Sequence, residues 1–79
     1  MAKGGFVIRF GEMVRQRREA LELSQEELAS RAGLHRTAIT MIERAKRSST
    51  LETIEKLALA LQIQPSELIP DIELRRGRR

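Results

Sequence analysis

The sequence predicts an all-α domain built from five short helices. Three observations carry that expectation. Apolar residues recur at three- and four-residue spacing along most of the chain, and no alternating run reads as a strand. Helix-start residues stand ahead of these stripes: Ser24, Thr50 and the pair Gln64-Pro65. Gly33 separates two of the stripes at a spacing that fits a tight turn between helices.

The elements follow in order. Residues 1–5 read as a flexible leader. Phe10, Met13, Val14, Arg17 and Leu21 then repeat at helical spacing, so a first helix is expected from about Phe6 to Ala20. Gly11 sits inside it, at a cost of about 1 kcal/mol relative to alanine. Its missing side chain leaves room for a neighbouring element to approach closely. Ser24-Gln25-Glu26-Glu27 is a capping box, and Leu23 and Leu28 have the spacing of a hydrophobic staple. Leu28, Ala29 and Ala32 face inward, and Gly33 ends the second helix. The third runs from about Arg36 to Arg44 with His35 as its N-cap, where Ser, Thr, Asp or Asn caps better. Thr50 caps a fourth helix with apolar Leu51, Ile54, Leu57, Ala58 and Leu61. Pro65 opens a short fifth helix carrying Leu68 and Ile69, and Pro70 stops it. Residues 6–70 thus make one domain, and residues 71–79 a basic tail.

The net charge of +4 equals the charge of the four arginines that end that tail. Arg75, Arg76, Arg78 and Arg79 account for all of it, and residues 1–74 sum to zero. What matters is placement. Arg36, Arg44, Lys46 and Arg47 face only Glu43 within the stretch 35–47. From Thr50 to Leu74 the balance reverses, with five carboxylates against Lys56. One end of the molecule suits an anion and the other does not. The tail arginines either grip neighbouring phosphates or form a solvated tail.

The inventory excludes several classes. There is no cysteine and only one histidine, His35, so neither metal nor cofactor is expected. An enzyme is not expected either: no glycine-rich loop or convergent set of acid and base groups is present. No apolar run approaches the ~20 residues of a membrane span. No secretory signal is read at the N-terminus, so the expected location is the cytoplasm.

The third helix carries the chemistry. At 100° per residue, Ala38, Ile39 and Ile42 fall on one side. Arg36, Thr37, Thr40, Met41 and Arg44 fall on the other, with Glu43 at the border. The polar side offers what base edges require. Arg36 can donate twice to guanine, Thr37 and Thr40 can donate, accept or offer a methyl, and Met41 suits a thymine methyl. Arg44, Lys46 and Arg47 follow where phosphates would lie. Gln25, beside the free N–H groups that open the second helix, suits a phosphate oxygen or serves only as a good helix former.

The stretch from Phe10 to Leu68 resembles the helix-turn-helix domain of the Cro and C1 phage repressors, the XRE family. The resemblance rests on Leu23-Ser24-Gln25-Glu26-Glu27-Leu28-Ala29, Ala32-Gly33-Leu34, Ile39, Ile42-Glu43-Arg44, Lys46, and Leu51-Glu52-Thr53 onward to Leu61. Ile8-Arg9-Phe10-Gly11, Leu34-His35-Arg36-Thr37 and the run Ile54–Leu61 resemble the controller proteins of restriction-modification systems within that family. The resemblance implies a lambda-repressor-like fold with the helix-turn-helix at helices two and three. It implies phosphate contacts from Gln25 and Arg44, and base contacts from Arg36, Thr37, Thr40 and Met41. It also implies a partly buried ion pair between Arg18 and Glu43 that locks the recognition helix. Two positions depart from the family pattern. Ala45 stands where glycine is usual, and a positive φ there strains an alanine, so the turn and the aim of Lys46 and Arg47 are expected to differ. His35 replaces a small cap; its ring either bonds a phosphate or is a tolerated poor cap.

Leu59 lies off the inward stripe, and with Ile63, Ile69 and Ile72 it is expected to form an apolar patch that joins two copies. The resulting expectation is a sequence-specific DNA-binding transcriptional regulator, a homodimer on a near-palindromic stretch of double-stranded DNA. The alternative is an antitoxin or adaptor that binds a protein partner through the same domain. No membrane and no small-molecule effector enter either reading.

Overall fold

The stripes fold into α1 (Gly5–Ala20), α2 (Gln25–Ala32), α3 (Arg36–Glu43) and α4 (Leu51–Leu61), followed by a 3-10 turn, Pro65–Leu68. This is a computed structural model, and it describes residues 5–71. Residues 1–4, Ile72 and the Arg75–Arg79 cluster lie outside the described residues. The first helix starts at Gly5, one residue into the expected leader. The expected fifth helix is a single 3-10 turn. Only four residues separate Gln64 from Ile69, too few for an i→i+4 ladder to propagate. Its opening is held by the Gln64 N–H, which donates to Glu67 Oε2 at 3.0 Å.

Starts and stops are built from local hydrogen bonds. Ser24 and Glu27 form the expected capping box: the Glu27 N–H donates to Ser24 Oγ at 3.0 Å, and the Ser24 N–H to Glu27 Oε1 at 2.8 Å. The Thr53 N–H donates to Thr50 Oγ1 at 3.1 Å at the head of α4. His35 makes no side-chain cap bond.

All four α-helices end the same way. A left-handed residue reverses the chain, and the next N–H reaches back to the carbonyl five residues earlier. The left-handed residues are Glu22, Gly33, Ala45 and Gln62, with φ of 58°, 70°, 57° and 63°. The closing bonds are Leu23 to Arg18, Leu34 to Ala29, Lys46 to Met41 and Ile63 to Ala58, at 2.8 to 3.1 Å. Only one of the four is glycine. The turn after α3 therefore keeps the positive φ that glycine would take, and the expectation that Ala45 changes it is corrected. The Schellman bonds and the packing of α3 hold Ala45 in a conformation that costs a non-glycine residue roughly 1–2 kcal/mol.

One apolar cluster holds the domain together. Val14, Leu28, Ile39, Leu57 and Leu68 are its fully buried members. Phe10, Ala29, Ala32, Ile42, Ala58, Ala60 and Leu61 complete it, and Leu34, Ile54 and Ile63 pack against its edge. Leu51, an apolar residue of the expected α4 stripe, is 85% exposed, whereas Ala60, outside that stripe, is buried. As the first residue of α4, Leu51 stands a full turn ahead of the part of the stripe that meets α2.

Gly11 is the closest seam in the fold. A Cβ there would lie 3.1 Å from the Glu43 carbonyl oxygen and nearer still to that of Ile42. The C-terminal turn of α3 thus rests directly on the backbone of α1, the close approach that the missing side chain offered.

Candidate nucleic-acid interface

Two anchors fix α3. The apolar one is Ile39 and Ile42, buried in the core. The polar one begins at Arg18 on α1. Arg18 Nε donates to Glu43 Oε2 at 2.7 Å and Nη2 to Glu43 Oε1 at 3.0 Å, a bidentate pair. Nη1 donates to the Leu23 carbonyl at 2.7 Å, which ties in the turn between α1 and α2. The side chains are 12% and 4% exposed, so the charges are shielded from water. The hydrogen bond to Glu43 is the main reason the Arg18 guanidinium titrates above its ordinary value, against the opposing effect of burial. The pair implied by the family resemblance is present, and it joins three elements.

The network continues to the outer surface. Gln25 Nε2 donates to Glu43 Oε1 at 3.1 Å, and Thr40 Oγ1 donates to Gln25 Oε1 at 2.8 Å. The chemistry fixes the amide's orientation: a carboxylate must accept, so nitrogen faces Glu43 and the amide oxygen faces the hydroxyl. Gln25 therefore stands between α2 and α3, and Thr40 is tied to it. Neither link has a signal in the sequence, because residues fifteen and eighteen apart meet only through the tertiary fold.

The remaining candidates lie outward. Arg36 and Thr37 are exposed, and Met41 is half-buried on the same helix. Arg44, Lys46 and Arg47 are exposed past its C-terminus, and His35 before its N-terminus. One acidic neighbour stands beside them with no signal in the sequence: Glu26 Oε2 lies 3.9 Å from Arg36 Nε, with both side chains largely in water. Such a contact contributes ~0–1 kcal/mol. The face thus concentrates cations around α3 and its exit, with Glu26 the acidic side chain paired to it.

The expected apolar patch divides. Leu59 is 73% exposed and Ile69 37%. Ile63 is half-buried against the core. Leu51 joins the exposed side, with a groove of about 410 Å³ between it, Ile54, Pro65 and Ile69. No group of three or more metal-ligating side chains occurs among the described residues. No helix among them is long and apolar enough to cross a membrane.

Two short helices at a glycine turn, with the second locked behind and polar in front, define the class: a helix-turn-helix domain. The family model described as Helix-turn-helix matches residues 14–68, and the chain belongs to that family, of Cro/C1 or XRE type. It is 48% identical over 61 residues to the control protein C.BamHI of Bacillus amyloliquefaciens, covering 76% of this chain and 75% of that one. The fold superposes on the restriction-modification controller protein C.AhdI of Aeromonas hydrophila with a TM-score of 0.78 at 44% identity. That match covers 80% of this chain and 96% of the other. The P22 c2 repressor, solved in complex with a synthetic operator, matches at a TM-score of 0.71 and 33% identity, over 76% of this chain and 91% of its own.

Proposed function

We propose that this chain is a sequence-specific DNA-binding transcriptional regulator of the restriction-modification controller kind, acting as a homodimer on a near-palindromic operator. The observation that carries the proposal is the division of α3. Its inner side is held by Ile39, Ile42 and the Arg18–Glu43 pair, and its outer side turns Arg36 and Thr37 to solvent beside the half-buried Met41. A helix fixed in this way enters the major groove without first having to order itself.

The roles divide by chemistry. Arg36, Thr37 and Met41 face base edges, with Arg36 the natural bidentate donor to a guanine, and Thr40 lies beside them with its hydroxyl tied to Gln25. Gln25, His35, Arg44, Lys46 and Arg47 serve phosphates, which set register and affinity while carrying no sequence information. The positive end of α2 adds to the pull on the phosphate at Gln25.

Two copies meet, in this reading, through apolar residues of α4 and the segment after it, Leu59, Ile63, Ile69 and Ile72, extended by the exposed Leu51 and the groove beside it. A two-fold axis there sets two recognition helices ~34 Å apart, one helical turn of DNA. Regulation follows from occupancy: a bound dimer blocks or recruits polymerase. The protein works in the cytoplasm, without effector or membrane. The test is selection of bound duplexes from a random pool. Two inverted half-sites about one turn apart are expected, and a pool that shows no enriched sequence removes the proposal.

A further inference from the structure

Resting on the DNA-binding reading, we propose that Thr40 is a positioning residue for Gln25: its hydroxyl orients the amide that meets the phosphate, and it does not read a base as a donor. A threonine hydroxyl has a single proton. Here it lies on Gln25 Oε1 at 2.8 Å. No donor is left for the guanine O6 or N7, or the thymine O4, that a groove-facing threonine would otherwise serve.

What the bond achieves lies on the far side of the amide. With Oε1 held by Thr40 and one Nε2 proton held by Glu43, the Gln25 amide cannot flip. One Nε2 proton remains, and it is the group that a phosphate oxygen can take. Glu43 is in turn held by Arg18, and Arg18 by the Leu23 carbonyl. The phosphate-binding group of α2 and the recognition helix α3 are thereby joined through one chain of hydrogen bonds into the core. Thr40 is the link in that chain on the groove side, and half-buried, as a side chain packed between two helices must be. Sequence selectivity then falls to Arg36, Thr37 and Met41.

The experiment compares wild-type protein with Thr40→Val, Thr40→Ser, Gln25→Ala and the double variant T40V/Q25A. Each is titrated on the duplex selected from a random pool and on its single-base-pair variants. Side-chain amide NMR of the DNA-free protein follows the Gln25 Nε2 protons. Valine keeps the shape of threonine without the hydroxyl, and serine keeps the hydroxyl without the methyl. Thr40→Val is expected to weaken binding about 2- to 10-fold, the worth of one neutral hydrogen bond, equally on every duplex. Thr40→Ser should bind within about twofold of wild type, and the double variant no more weakly than Gln25→Ala. The Gln25 amide resonances should shift in Thr40→Val and stay in place in Thr40→Ser. Loss of preference at one base pair in Thr40→Val, or a serine variant as weak as the valine one, overturns the proposal. If wild type selects no duplex, the operator reading falls, and the amide resonances still decide whether Thr40 holds Gln25; unchanged resonances in Thr40→Val refute that link.

Discussion

Replacing Glu43 by alanine should do more damage than any other single change to a polar side chain in this domain. Glu43 accepts two hydrogen bonds from Arg18 and one from Gln25, and its own side chain is 4% exposed. Without it the Arg18 guanidinium is left largely buried with only the Leu23 carbonyl as partner. Removing one member of a buried ion pair typically costs ~3–5 kcal/mol. A domain of this length has a net stability of ~4–12 kcal/mol, so a large part of it is at stake. At ~4–8 °C per kcal/mol for small domains, the melting temperature should fall by at least ~12 °C. The assay is urea and thermal unfolding of wild type, Arg18→Met, Glu43→Ala, Glu43→Leu and the double variant R18M/E43L. The double variant should recover most of the loss, because a buried pair replaced by apolar side chains of similar size is often neutral. A cost for Glu43→Ala below ~1 kcal/mol, or single losses that simply add in R18M/E43L, would refute the reasoning that this pair locks α3.

Four further outcomes follow from the same geometry. Gly11→Ala should destabilise by more than ~2 kcal/mol, since the new methyl meets backbone carbonyls of Ile42 and Glu43 that cannot rotate away; denaturant unfolding checks it, and a neutral result would mean that α1 and α3 can slide apart freely. Ala45→Gly should raise stability by ~0.5–1 kcal/mol, because the positive φ is retained and the Cβ strain removed; a loss of stability in thermal melts would contradict it. Arg36→Ala should cost ~1–3 kcal/mol on the selected operator and relax preference at one base pair, whereas Arg44→Ala should weaken specific and random duplexes alike and reduce the salt slope by about 1 per protomer. Leu59→Lys and Leu51→Lys should each shift the protein toward monomer in sedimentation, with unfolding little changed, since both side chains are mostly exposed in the single chain.

How much of this was legible in the sequence differs from element to element. The capping boxes and helical stripes are local, and Ser24, Thr50 and the residues Phe10, Val14, Leu28 and Leu57 behave as their spacing dictates. Gly11 announced a close approach, and the structure supplies its partner in the end of α3. Helix ends are legible where the stripe stops, at Ala20, and where glycine marks them, at Gly33. The left-handed residues that make the other turns are not: Glu22 and Gln62 carry no such mark, and Ala45 takes the conformation against its own preference. The outward face of α3 follows from a helical wheel, because α-helical geometry alone fixes it. The Arg18–Glu43 pair came from family resemblance, and the Thr40–Gln25–Glu43 chain from neither source. Contacts between residues distant in sequence depend on how α2 and α3 cross, which no local pattern encodes. Leu51 shows the same limit at a helix end, where periodicity continues but the packing partner does not.

Backbone-amide NMR during titration with the selected duplex tests most directly whether the outer face of α3 is the surface that meets DNA. The largest shifts are expected at Gln25, His35, Arg36, Thr37, Met41 and Arg44–Arg47, with the exposed side of α4 around Glu55 and Leu59 unmoved. Shifts centred on α4, with those α3 residues silent, would contradict the account.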